Sequence, residues 1–160
     1  MEKKTVLSIY SRIMSILATA IIVALFVYEI KFHQYFRMAI LGVVLVVLVG
    51  AIMIYAPRAI AVNDGYIIVK RLVKPKMIDL NDVESVQLVS PTMAERRLLG
   101  SGGWMGYWGW FSDGELGRYF AYYGKASECF LVKLKSGRQY MLGCKDTKEM
   151  VGYIQAQLNK

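Results

Sequence analysis

The residues equipped for chemistry in this chain are few and scattered. It has one histidine, His33, and two cysteines, Cys129 and Cys144. That excludes a Cys/His zinc cluster and a histidine-based catalytic triad from the C-terminal part. Asp79, Asp82 and Glu84 lie close together, but Asp82 falls in a turn pattern and Glu84 in an alternating strand pattern. They read as solvated charges rather than a carboxylate metal site, as do Asp113 and Glu115, which flank a glycine. Residues 100–117, GSGGWMGYWGWFSDGELG, hold seven glycines and three tryptophans. The glycines suggest a phosphate cradle. However, the G-x-G-x-x-G spacing fails at Met105, no Gly-Lys-[Ser/Thr] follows, and no Lys or Arg lies within the segment. No catalytic, cofactor or metal site is therefore expected.

The elements that would carry these residues begin with a membrane hairpin. The chain of 160 residues is 56% hydrophobic, too apolar for an ordinary soluble domain of this size, and the excess is in the first third. Residues 13–28 and 38–56 carry no charge; about 20 apolar residues cross a hydrocarbon core of about 30 Å. Helices are expected over about 7–29 and 38–56. Ala18, Ala20, Ala24, Gly42 and Gly50 are small enough for close helix packing. Two such runs exceed what a domain of the remaining size would bury as core helices, and neither has the flanks of a cleaved signal peptide. Lys3, Lys4 and Arg12 precede the first run and Arg58, Lys70, Arg71, Lys74 and Lys76 follow the second, whereas Lys31 and Arg37 lie between. This asymmetry predicts both termini in the cytoplasm, on an integral inner-membrane protein. The formal net charge of +8 is spread along the chain, which suits an anionic lipid surface; no nucleic-acid motif is present.

Residues 57–160 read as a second unit of short strands. Alternation and turn signals predict strands at 59–62, 66–71, 76–80, 83–89, 118–123, 129–134 and 139–143, with Asn63-Asp64-Gly65 as the first hairpin turn. Met150, Val151, Ile154 and Leu158 recur at helical spacing, after Asp146 and Glu149 in capping-box positions. A two-residue turn at Ser136-Gly137 would pair Lys135 with Arg138 and set Cys129 opposite Cys144.

Seven short strands closed by a helix is the order of the pleckstrin-homology (PH) superfold. On PRAIAVNDGYIIVKR, MIDLNDVESV, SGGWMGYWGWF and YMLGCKDTKEMVGYI, the chain resembles the bacterial membrane-anchored PH-domain proteins over essentially its full length. The resemblance implies a mainly-β PH-like domain: a strongly curved antiparallel sheet or barrel of seven strands with a C-terminal α-helix in one open corner, and no reaction. Lipid-binding relatives carry a basic cluster between the first two strands. Here that loop is tight and acidic, so the phosphoinositide site does not transfer.

Two non-enzymatic roles remain. One is a membrane adaptor or scaffold that engages a protein partner or a second copy. The other is contact with anionic lipid headgroups through Lys70, Arg71, Lys74 and Lys76. Trp104, Tyr107, Trp108, Trp110 and Phe111, read as a long loop, would serve the bilayer interface, a partner, or the open end of the sheet's own core.

Overall fold

The computed structural model describes residues 1–33, 35–63, 65–92 and 95–158. Helices α1 (Ile9–Lys31) and α2 (Tyr35–Tyr55) are both long and apolar enough to cross a membrane, and the most apolar stretch of each is wholly unburied. A core-helix role is therefore excluded. Ser8 caps α1, its hydroxyl accepting from Ser11 N at 3.0 Å. Pro57, which cannot continue a helix, follows α2 closely. Arg37 Nε lies 3.2 Å from Glu29 Oε2 across the connection. α1 starts later than the sequence pattern predicts because the residues before it are committed elsewhere: Thr5 N donates to Arg58 O and Ser8 N to Gly124 O, each at 2.9 Å. Close helix packing at Gly42 and Gly50 is not formed, since a Cβ on either would meet nothing within 4 Å.

The expected single sheet or barrel of seven strands is replaced by two open sheets, of four and six strands among the described residues. The first contains β1 (Glu2–Lys4), β2 (Ala59–Asn63), β3 (Tyr66–Lys70) and β4 (Lys76–Asp79), in that order and all antiparallel. Asn63 pairs with Tyr66, the register of the expected turn, although Asp64 lies outside the described residues. A short 3-10 turn at Leu80–Asp82 leads to β5 (Val83–Leu88). Then come β6 (Arg96–Gly103), β7 (Gly106–Asp113), β8 (Gly117–Tyr123), β9 (Cys129–Leu134), β10 (Gln139–Gly143) and helix α3 (Thr147–Leu158). The second sheet has the order β5-β9-β10-β8-β7-β6. It is not purely antiparallel: β10 inserts beside β8 and runs parallel to it.

The extra strands have two sources. β1 comes from the residues before α1. β6 and β7 come from the glycine- and tryptophan-rich segment, which is a β-hairpin rather than a loop. Its many glycines hide the strand alternation, yet two of them make the hairpin possible. Gly100 and Gly109 are register partners at φ +130° and +119°. A Cβ on Gly100 would stand 2.1 Å from Trp108 O, and one on Gly109 would stand 2.1 Å from Leu99 O. Only two residues without side chains allow the backbones this close.

Two smaller expectations are also corrected. Leu134 N donates to Arg138 O at 2.9 Å, so the β9–β10 loop is Lys135-Ser136-Gly137, with Gly137 at φ +79°. One more loop residue shifts the register by one. Cys129 therefore pairs with Gly143, and Cys144 is not opposite it. The Asp146/Glu149 capping box is replaced by an ionic cluster. Lys3 Nζ reaches Asp146 Oδ2 at 3.2 Å and Glu149 Oε2 at 2.6 Å, while Asp146 sits at φ +55°.

The main core lies between the two sheets and α3. Ile60, Val62, Ile67 and Val69 of the first sheet meet Phe130, Val132 and Leu142 of the second, with Met150, Val151 and Ile154 of α3. Ala51, Ile52 and Ala56 pack against it from the end of α2. A second cluster of Phe111, Tyr119, Ala121, Tyr123, Leu131 and Met141 covers the other face of the six-stranded sheet.

Gly100→Ala or Gly109→Ala should destabilise the fold by about 2 kcal/mol or more. Thermal melts of the full-length protein should read this as a Tm lowered by several degrees; an unchanged Tm would contradict the close approach.

Candidate functional site

The aromatic hairpin pairs ring with ring across β7 and β8. Tyr107 faces Tyr123, Trp108 faces Tyr122, Trp110 faces Phe120 and Phe111 faces Tyr119. Alternation sends these pairs to opposite faces of the sheet. On one face, Tyr107 stacks on Tyr123 at 4.7 Å and Phe111 on Tyr119 at 6.2 Å. On the other, Trp110 meets Phe120 edge-on at 5.2 Å. Trp108 stacks on Tyr55, the last residue of α2, at 5.8 Å. Trp108 and Phe111 are buried, and Trp104, Tyr107 and Trp110 are partly so. The five candidate residues are thus split between two faces and the hairpin tip. Trp108 Nε1 is buried and, among the described residues, has no hydrogen-bond partner.

The hairpin tip rests on α1. Met105 N donates to Ser15 Oγ at 2.9 Å, and that hydroxyl in turn donates to Ser11 O at 2.7 Å. Gly103 lies against Tyr10 and Met14. Sequence pattern did not reveal this contact, because nothing in the spacing of Ser11 and Ser15 marks them as docking points.

Val89, Thr92 and Glu95, between β5 and β6, meet the outer face of the six-stranded sheet. Thr92 Oγ1 donates to Asp113 Oδ2 at 2.5 Å. Glu95 accepts from Tyr119 OH at 2.5 Å and from Tyr123 OH at 2.9 Å. The Asp113 pKa is held down, first by the Thr92 hydroxyl and then by the Glu115 amide. Tyr119 and Tyr123 are pushed well above an ordinary phenol, first by burial and then by the Glu95 carboxylate. These hydrogen bonds tie the segment before β6 to β7 and β8.

The four candidate basic residues differ in their surroundings. Lys70 Nζ is tied to Glu2 at 2.6 Å. Arg71 donates to Lys74 O at 2.7 Å and to Tyr122 OH at 3.3 Å, with its guanidinium over the Tyr122 ring. The Tyr122 hydroxyl is pushed up to about 12, by burial in spite of that guanidinium. Lys76 lies over the Tyr140 ring at 5.7 Å. Lys74 is exposed and, among the described residues, makes no ion pair. The four do not form one cationic cradle.

With the geometry in view, the chain's kinship is plain. The model of the bacterial PH domain family matches residues 58–157, and the chain belongs to that family. The match begins after α2, so β1 and both apolar helices lie outside it. No curated protein and no solved structure matches the chain.

Both thiols are buried and free. Burial pushes the Cys144 pKa up to about 12 and that of Cys129 higher still. A thiol whose pKa is higher folded than unfolded favours the folded state in full below about pH 8.5. That contribution is lost as pH rises toward about 12, the folded value for Cys144. Iodoacetamide at pH 8 should label neither thiol in the native protein and both after denaturation. A native disulfide between them, or fast native labelling, would contradict the observed register and burial.

Proposed function

We propose that this protein is a non-enzymatic membrane scaffold. In this reading α1 and α2 span the bilayer with both termini in the cytoplasm. The PH-like domain stands at the membrane surface and offers a strand edge to a protein partner or a second copy. The observation that carries the reading is β6. It is one of the two outer strands of the six-stranded sheet, its residues 96–100 are exposed, and Leu98 and Leu99 are 50% and 73% exposed. With Trp110 and Arg118 these leucines line an open hollow.

An unpaired edge offers a row of backbone donors and acceptors, and natural proteins usually blunt such edges with charge. β6 carries Arg96 and Arg97 at one end only. Its apolar middle suits an added strand, in which backbone pairing gives affinity and the hollow beside Trp110 gives specificity. The two thiols are too buried and too weakly acidic to act as nucleophiles, and the described residues hold no group of three or more metal-ligating side chains.

Because Leu98 and Leu99 are exposed, the double variant Leu98→Asp/Leu99→Asp should keep the wild-type Tm. It should lose the partner, or the dimer, that the full-length protein carries out of the membrane in mild detergent. Light scattering after size exclusion, with mass spectrometry of bound proteins, reads the outcome. A monomeric wild type without a partner, or a variant that keeps its partner, would overturn the reading.

A further inference from the structure

The β3–β4 loop, residues 71–75, is apolar where a solvent loop would be polar. Leu72 and Val73 are 46% and 61% exposed, between Arg71 on one side and Lys74 and Pro75 on the other. The loop is braced rather than free. Arg71 Nε donates to Lys74 O at 2.7 Å, closing the loop on itself, and Arg71 is anchored through Tyr122. Two exposed aliphatic residues are thereby held outward on a fixed base.

The loop's height is also set. Val73 N donates to Met53 O of α2 at 3.3 Å, and Leu72 shares a hollow of about 220 Å³ with Ile52, Met53, Ala56, Arg58 and Met105. Met53 belongs to the uncharged run that ends at Ala56, so Val73 sits beside the apolar helix and not above it. Met105, 41% exposed, borders the same hollow from the β6–β7 tip.

We propose that this loop is a membrane finger. Leu72 and Val73 enter the headgroup–acyl boundary of the bilayer that holds the helices, and Lys74 rests against its anionic phosphates. Aliphatic side chains gain from that boundary, and a cation close to an anionic surface is attracted to it. Lys74 suits the role because it is exposed and makes no ion pair among the described residues, whereas Lys70 and Arg71 are occupied. The finger would fix the tilt of the domain on the membrane and make that tilt depend on anionic lipid. It rests on α1 and α2 spanning the bilayer.

The test uses the full-length protein carrying Val73→Cys, labelled with a polarity-sensitive NBD fluorophore. The protein is placed in nanodiscs of phosphatidylcholine with a minor share of phosphatidylglycerol. The buried native thiols are controlled by the unsubstituted protein, and a Val46→Cys label on α2 reports the bilayer interior. The expected result is blue-shifted emission at position 73, quenched by lipids with a nitroxide near the headgroup end of the acyl chain. Quenching should weaken about twofold with Lys74→Glu. Solvent-like emission at 73, with the label at 46 quenched by deep nitroxides, would overturn the finger and leave the spanning helices in place. No quenching at either position would overturn the spanning reading itself. Quenching at 73 that is indifferent to Lys74→Glu would overturn the phosphate contact.

Discussion

The backbone pairing of β1 with β2 is the constraint on which the rest of the molecule depends. Lys4 is the partner of Ala59, so the chain leaves the domain and returns to it on adjacent strands, with both apolar helices between. β1 also joins the two sheets. While it pairs with β2, Lys4 O accepts from Lys145 N at 2.9 Å and Thr5 Oγ1 donates to Gly143 O at 3.0 Å. Lys3 binds Asp146 and Glu149 at the start of α3, and its own pKa is raised by Glu149 and then Asp146. These ion pairs are exposed, where such contacts contribute little each. The backbone ladder, with both ends fixed, does the joining.

That pairing explains why the helices do not hang from the domain on a linker. Tyr55 stacks on Trp108, and Ala51, Ile52 and Ala56 reach the main core. The tip of the aromatic hairpin meets α1 at Ser15. Helices and domain therefore share packed surface along the first turns of α1 and the last turns of α2. Large buried rings supply much of the favourable burial at these junctions, on the order of 2–3 kcal/mol for each one fully removed from water. A fragment beginning at residue 57 would lose β1 and leave the edge of β2 and the end of β10 open, so binding experiments belong on the full chain.

Much of this was legible in the sequence, and the misses have physical causes. The long uncharged runs are readily read as two apolar helices of membrane-spanning length. The strands at 59–63, 66–70, 129–134 and 139–143 follow alternation and turn chemistry. By contrast, β1 is three residues long, and its reason for being a strand is a partner more than fifty residues away. No local pattern encodes that. β6 and β7 were hidden because Gly100 and Gly109 are selected by the closeness of two backbones, which reads locally as a loop. The thiol register failed by one position because Ser136-Gly137 serves equally in a two-residue and a three-residue turn. The candidate rings and cations were chosen by residue type, and their placement lies beyond local pattern. That pattern does not tell that the rings divide between two faces, or that Lys70 is tied to Glu2 and Arg71 to Tyr122 while Lys74 makes no ion pair among the described residues.

Helices and domain packed in this way should move as one body. Spin labels at Leu17→Cys on α1 and Tyr153→Cys on α3, both exposed positions, report the distance between the two parts in the full-length protein in nanodiscs. Pulsed dipolar spectroscopy should give one narrow distance distribution, and Lys3→Pro, which removes a strand donor from β1, should broaden it. A broad distribution in the unsubstituted chain, as for a domain on a flexible tether, would contradict the account.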